Sequence, residues 1–171
     1  MNAEASRDRA DGRVSLDDFD SVYEAYYQDV YRAVRAIVLD VGLAEDVTQN
    51  TFIKAFRYRA RYQPTGSLGG WLHRIAVREA ISALRWRLVH DRLMQAVQMK
   101  ARQPAADPTL GGLLTNLLAG LNPGTRAAVI LHYYHGYRYR EVADILGIPE
   151  GTVATRIANG LKRMKRVLTT E

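Results

Sequence analysis

The sequence predicts an all-α chain of two small helical domains joined by a flexible linker, with a helix-turn-helix in the C-terminal one. Three observations predict it. Apolar residues recur at helical spacing almost throughout, and no period-two run exceeds a few residues. Residues 99–112 hold Pro104, Pro108, Gly111 and Gly112 with almost no large apolar side chain, the composition of a tether. With 171 residues, 47% apolar and 25% charged, the chain is globular and long enough for one ordinary domain or two small ones. The expected division is a flexible acidic tail (1–14), a first domain (15–98), the linker (99–112) and a second domain (113–171).

Each element has a local reason. From Ser15 an apolar stripe runs through Phe19, Val22, Tyr26, Val30, Val34 and Ile37, with Ser15 and Asp18 as an expected N-cap pair. Gly42 is the expected break before a second helix, which carries Val47, Thr51, Phe52, Ala55 and Phe56 on one side and runs to about Arg61. Pro64, Gly66, Gly69 and Gly70 then mark a loop. Ser67 is placed to cap a third helix with Trp71, Leu72, Ile75, Ala76, Ala80 and Leu84 inward, continuing through Leu88 and Leu93. Beyond the linker, Leu110, Leu113, Leu114, Leu117 and Leu118 form a short stripe ending near Gly120. Asn122 and Pro123 start the next helix, a capping side chain followed by proline at the first position, and Gly136 stops it.

Charge is segregated along the chain. The net +6 conceals 5 Lys/Arg against 11 Asp/Glu in residues 1–50 and 11 against 2 in residues 51–103. Residues 113–171 carry 8 against 4. This pattern fits either a solvated basic face or a surface that attracts polyanions. There is no cysteine, so disulfides and thiolate sites are excluded. No apolar stretch approaches the length of about 20 residues that spans a bilayer, and the polar N-terminus does not read as a signal peptide. A soluble, cytoplasmic protein without membrane insertion is expected.

The strongest local signal is YREVADILGIPEGTVATRIANGLKRM, residues 139–164. Ala143, Gly147 and Val153 have helix-turn-helix offsets. The small residue lets two helices cross, the glycine takes the left-handed turn, and valine seals the contact. Pro149 and Glu150 open the second helix, which presents Thr152, Thr155, Arg156 and Asn159 outward, followed by Lys162, Arg163, Lys165 and Arg166. Side chains early in such a helix reach base edges, and later cations suit phosphates.

Both halves together resemble the extracytoplasmic-function group of bacterial RNA polymerase sigma factors. GLNPGTRAAVILHYYHGYRYREVADILGIPEGTVATRI is similar to the family's region 4, with Arg138 where the family usually has a capping Ser or Thr. AEDVTQNTFIKAFR resembles region 2.2, and SLGGWLHRIAVREAISALR regions 2.3 and 2.4. The resemblance implies a sigma factor that binds core polymerase, recognises minus-ten and minus-thirty-five elements and helps open the DNA. It implies that Glu45, Asp46, Gln49 and Asn50 dock on the β′ clamp helices, with Asp46 and Gln49 as centre contacts, and that the β subunit is also bound. An anti-sigma partner is a further expectation.

For minus-ten DNA the resemblance assigns the loop from Tyr62 to Trp71, which would receive an unstacked base. Arg61, Tyr62, Ser67, Arg74, Arg78 and Arg85 are the candidate contacts, within a larger set that includes Arg57, Arg59 and Arg87. Tyr62 can stack on a base, and arginines suit single-strand phosphates. Arg78 stands where many relatives carry Asn, so a phosphate contact is expected there. Trp71 begins an apolar stripe and reads as a core residue. For minus-thirty-five DNA the candidates are Thr152, Thr155, Arg156, Asn159, Lys162, Arg163 and Lys165.

No catalytic residues, cofactor or metal ligands are expected. Histidines 73, 90, 132 and 135 form no metal-binding spacing with a neighbouring acid and read as surface or capping residues. No phosphate-cradling glycine loop or nucleophile–base pair is present, so no enzyme is expected. The alternative reading is an autonomous helix-turn-helix regulator with an N-terminal interaction module.

Overall fold

The computed structural model describes residues 16–63, 66–95 and 112–169. Among the described residues the α-helices run in this order: α1 (Phe19–Val38), α2 (Val41–Tyr58), α3 (Leu68–Gln95), α4 (Gly112–Ala119), α5 (Pro123–Val129), α6 (Tyr139–Leu146) and α7 (Glu150–Leu168). A 3-10 turn (Arg59–Arg61) extends α2, and a π turn (Ile130–Tyr134) extends α5. Among the described residues there is no strand, and no helix is long and apolar enough to cross a membrane. Of the expected linker, only Gly112 lies among the described residues, where it opens α4.

Helix ends mostly follow the sequence signals. Asn122 caps α5 by accepting from the Thr125 N–H at 2.9 Å, with Pro123 at the first position. Ser67 caps α3 through the Gly70 N–H at 3.0 Å. Gly147, at φ 65°, closes α6 in the left-handed conformation that a side chain rarely tolerates. Two boundaries differ from expectation. Asp18 caps α1 by accepting from the Ser21 N–H, and Ser15 lies outside the described residues. The break before α2 falls at Leu39 and Asp40, not Gly42, which sits inside the helix.

Leu39 takes the left-handed conformation (φ 59°), a strained choice for a branched side chain. Its burial against Ala36, Leu118 and Leu121 offsets that cost. Asp40 then accepts from the Leu43 N–H at 2.8 Å and pairs with Arg87 at 3.2 Å. The backbone bond, aided by Arg87, holds its carboxyl below the ordinary value of 3.8. A depressed carboxyl stabilises the fold above the unfolded-state pKa, and that contribution is lost as pH falls through the folded one. Asp40→Ala is therefore expected to cost about 1 kcal/mol at neutral pH. The deficit should shrink below about pH 4, as read by urea unfolding of both proteins at each pH.

The first lobe packs α1, α2 and α3 around Val22, Val30, Val34, Ile37, Val47, Phe52, Leu72 and Ala76, all buried. Thr48 and Thr51 are also buried, and each hydroxyl donates to the carbonyl one turn back. In the second lobe α7 lies against α5 at Gly160. A Cβ there would sit 2.9 Å from Thr125 Cγ2 and 3.1 Å from Val129 Cγ2, so only glycine permits this approach.

The lobes do not stand apart. One continuous apolar cluster runs from Val22 and Leu72 through Ala127, Leu131 and Tyr137 to Val153 and Ile157. A second joins Ala36 and Leu39 to Leu118, Leu121 and Ile130. Arg126, buried to 7% exposure, donates to the carbonyls of Leu118 and Leu121 at 2.9 Å each and, across the lobes, to that of Ile37. Burial lowers its pKa to about 10, so it remains charged at neutral pH.

Candidate functional site

Three surfaces carry the expected contacts. On α2, the helical repeat turns Val47, Thr48, Thr51 and Phe52 inward and leaves Glu45, Asp46, Gln49 and Asn50 exposed together. Lys54 fixes α2 to α3 through Glu79 at 2.6 Å. Beside Gln49 runs a shallow apolar groove formed by Phe19, Tyr23, Phe52, Ile53 and Phe56. Phe56, expected inside, is 46% exposed and Ile53 is 49% exposed. Phe56 meets Phe19 edge-on at 5.2 Å and carries the Arg59 guanidinium 3.9 Å above its ring. The polar face thus continues into an apolar one, a continuation the stripe rule misassigned to the core.

The second surface centres on the loop between α2 and α3. Tyr62 donates from its hydroxyl to the Gly66 carbonyl at 3.0 Å, and its ring tilts against Trp71 at 5.2 Å. Trp71 is half-buried against the core, in line with its place in the stripe. Arg74, Arg78 and Arg85 are exposed along α3, and Arg61 lies over the Tyr58 ring at 5.5 Å. Arg87 is the exception, since its charge is engaged by Asp40. A cleft of about 360 Å³ joins Arg61, Tyr62, Ser67 and Arg74 to Glu141 and Asp144 of α6. Carboxylates of the second lobe therefore face the arginines of the first.

On α7, Val153, Ile157 and Gly160 are buried, and Thr155, Asn159, Lys162, Arg163 and Lys165 are exposed. Thr152 is half-buried, and the Thr155 hydroxyl donates to the Gly151 carbonyl at 2.9 Å. Arg156 is half-buried as well. Its guanidinium folds over Gly124, where a Cβ would meet Nη1 at 2.9 Å. Asn159, Lys162 and Arg163 line a cleft of about 370 Å³ shared with Asn122 and Thr125. At the start of α6, the Arg138 side chain has no oxygen with which to cap. Glu141 supplies the reciprocal half of the capping arrangement, accepting the Arg138 N–H at 2.7 Å.

The histidines depart from expectation. His90 is exposed, but His73 and His135 are 0% and 1% exposed. His73 occupies an inward position of α3 beside Leu72 and Ala76, and it meets Asp29 of its own lobe and His135 and Tyr137 of the other. No spacing rule within one element joins residues 62 positions apart.

Two family models match the chain: the one described as Sigma-70 region 2 over residues 22–87, and Sigma-70, region 4 over residues 112–164. The chain is 33% identical over 170 residues to the ECF RNA polymerase sigma factor SigE of Mycolicibacterium smegmatis. That match covers 94% of this chain and 65% of SigE, so the chain spans just under two thirds of that relative. It is 30% identical over 156 residues to the RNA polymerase sigma factor CarQ of Myxococcus xanthus, covering 89% of this chain and 90% of CarQ. Among solved structures, the fold is shared with the sigma factor RpoE of Bartonella quintana, crystallised with the anti-sigma factor NepR. The TM-score is 0.75 at 24% identity, over 90% of this chain and 98% of that one.

Proposed function

Because the chain belongs to the extracytoplasmic-function group of sigma-70 RNA polymerase sigma factors, we propose that it binds core polymerase, confers recognition of two promoter elements and promotes DNA opening. The observation that carries this reading is the presence of both family regions in one chain, each bearing an exposed face of suitable chemistry. An autonomous regulator would use α6 and α7 but would leave the α2 face and the α3 arginines without a role. The protein works in the cytoplasm and is not an enzyme; nucleotide chemistry belongs to the polymerase. Residues 15–98 act as the region 2-like domain and residues 113–171 as the region 4-like domain. An anti-sigma partner is part of the proposal, supported by the partner that RpoE carries. Run-off transcription with core polymerase on a promoter library tests the whole reading, and failure to co-purify with core polymerase would reject it.

In this reading Glu45, Asp46, Gln49 and Asn50 orient the β′ clamp helices, and the neighbouring apolar groove supplies buried area. Asp46→Ala with Gln49→Ala should weaken polymerase association by about 1 kcal/mol or more per central contact. Fold stability should change by under about 0.5 kcal/mol, because both side chains are exposed. Holoenzyme assembly measured by gel filtration and urea unfolding separates the two effects. Undiminished assembly removes this face from the interface.

On α7, Thr152, Thr155, Arg156 and Asn159 read the minus-thirty-five element, while Lys162, Arg163 and Lys165 hold its phosphates. Arg156 must swing off Gly124 to reach a base, since the guanidinium covers that backbone in the free chain. Arg156→Ala is expected to relax preference at one or two positions by about 1–3 kcal/mol. Lys165→Ala should weaken all promoters alike and reduce the salt slope by roughly one unit. Promoter-library selection at two salt concentrations distinguishes them. Uniform loss from both substitutions would leave Arg156 without a reading role.

A further inference from the structure

The lobes meet at a cluster that none of these interfaces uses. Asp29 comes from α1, His73 from α3, and His135 from the turn after α5. His73 Nε2 lies 3.6 Å from Asp29 Oδ2, and His135 Nδ1 lies 3.3 Å from Asp29 Oδ1. The two imidazoles tilt together with centroids 4.5 Å apart, and one donor atom of each residue falls within 4.8 Å of the others. Two ligands on one tetrahedral zinc, each about 2.0–2.1 Å from the metal, are separated by roughly 3.3 Å. The two imidazole–carboxylate separations here are close to that value, each to a different oxygen of Asp29.

The geometry points to a binding site for one zinc-like divalent cation, built from Asp29, His73 and His135, that pins the second lobe onto the first. Two imidazoles and a carboxylate suit Zn²⁺, Co²⁺ or Ni²⁺, and not the oxygen-seeking Mg²⁺ or Ca²⁺. The Tyr137 hydroxyl is hydrogen-bonded to His73 Nδ1 at 2.8 Å. In the tautomer in which His73 Nδ1–H donates to that oxygen, Nε2 presents a lone pair toward the carboxylate. Two electron-rich atoms then face each other, and a cation between them relieves the repulsion. This is also how a metal-bound histidine is usually oriented from its far nitrogen. His135 Nε2 is buried without a hydrogen-bond partner, so the contact with Asp29 is that ring's principal polar tie. The Asp29 side chain is 42% exposed, which gives the ion a path in and leaves room for a water as fourth ligand.

Asp29 and His73 belong to one lobe, and His135 and Tyr137 to the other. An ion held there favours the arrangement in which Glu141 and Asp144 face Arg61, Tyr62 and Arg74. Under the proposed promoter function, on which this consequence rests, the bound form keeps the minus-ten loop covered.

The test uses the full chain, stripped with chelator and titrated with Co²⁺, with Zn²⁺ as competitor. Expected is a ligand-field band saturating at one ion per chain and abolished by Zn²⁺. Asp29→Asn and His135→Gln should each lower affinity by more than about tenfold, and Tyr137→Phe by roughly 10–100-fold. Asp29→Asn alters a half-exposed side chain, so it reports on the site even if His135→Gln folds poorly. Because the chain has no cysteine, Ser82→Cys with Ala158→Cys accepts two dyes cleanly, and saturating Zn²⁺ should narrow their distance distribution. No binding, binding indifferent to Asp29→Asn, or an unchanged distance distribution at saturation would each overturn the proposal. Run-off transcription by the metal-free chain checks the promoter reading separately. Its failure beside intact metal binding would reject that function and leave the site standing.

Discussion

Replacing Arg126 by alanine is expected to destabilise the protein by about 3–5 kcal/mol, since a buried acceptor left unsatisfied costs about 1–3 kcal/mol and the cavity adds to it. The guanidinium satisfies three carbonyls at once, those of Ile37, Leu118 and Leu121. Truncation leaves each without this donor in a place water does not reach, and adds a cavity between the lobes. Total stabilities are only about 5–15 kcal/mol, so a single substitution removes a large share. Arg126→Lys should recover little, because an ammonium is a point charge and does not reproduce the planar fork. Urea unfolding of the three proteins decides the matter. An unchanged midpoint in Arg126→Ala would show that the carbonyls find other donors at no cost.

Shortening the loop before α3 by deleting Gly66 should abolish promoter opening while leaving a closed complex. No neighbour crowds Gly66, so the deletion acts through reach and shape. It breaks the Tyr62–Gly66 hydrogen bond and draws Tyr62 toward the Ser67 cap, away from any position in which its ring stacks on an extruded base. Base-stacking alone is worth about 1–3 kcal/mol, enough to shift the opening equilibrium by roughly 5- to 150-fold. Permanganate reactivity of bubble thymines measures opening, and filter binding measures the closed complex. Unchanged reactivity would reduce the loop to a connector.

Much of this architecture is legible because single elements announce themselves. Asn122–Pro123, Ser67, Gly147 and the Ala143–Val153 spacing each encode a local steric requirement, and each appears where expected. The exposed polar set on α2 follows equally from the helical repeat. What the repeat does not encode is the identity of the partner across space. Hence Arg87 is indistinguishable in the sequence from its arginine neighbours, although its counter-ion is Asp40. His73 and His135 carry no mutual signal in the sequence, although Asp29 unites them. Phe56 continues the stripe, yet it lies half-exposed against Phe19 at the rim of the apolar groove. Leu39 carries no local signal for its left-handed helix end, a place that glycine usually fills, and the conformation is held by burial against the second lobe.

The joints between the lobes also set an order of events during synthesis. Arg126 reaches back 89 positions to Ile37, and Tyr137 reaches back 64 to His73. When the ribosome has delivered α1, α2 and α3, the patch around Ala36 and Leu39 still lacks the leucines that will cover it. At about 5–20 residues per second, roughly one to five seconds pass before they emerge. The nascent first lobe therefore spends that interval with a sticky flank and an unanswered Ile37 carbonyl. A chaperone that binds apolar surface meets this flank before the second half of the chain arrives.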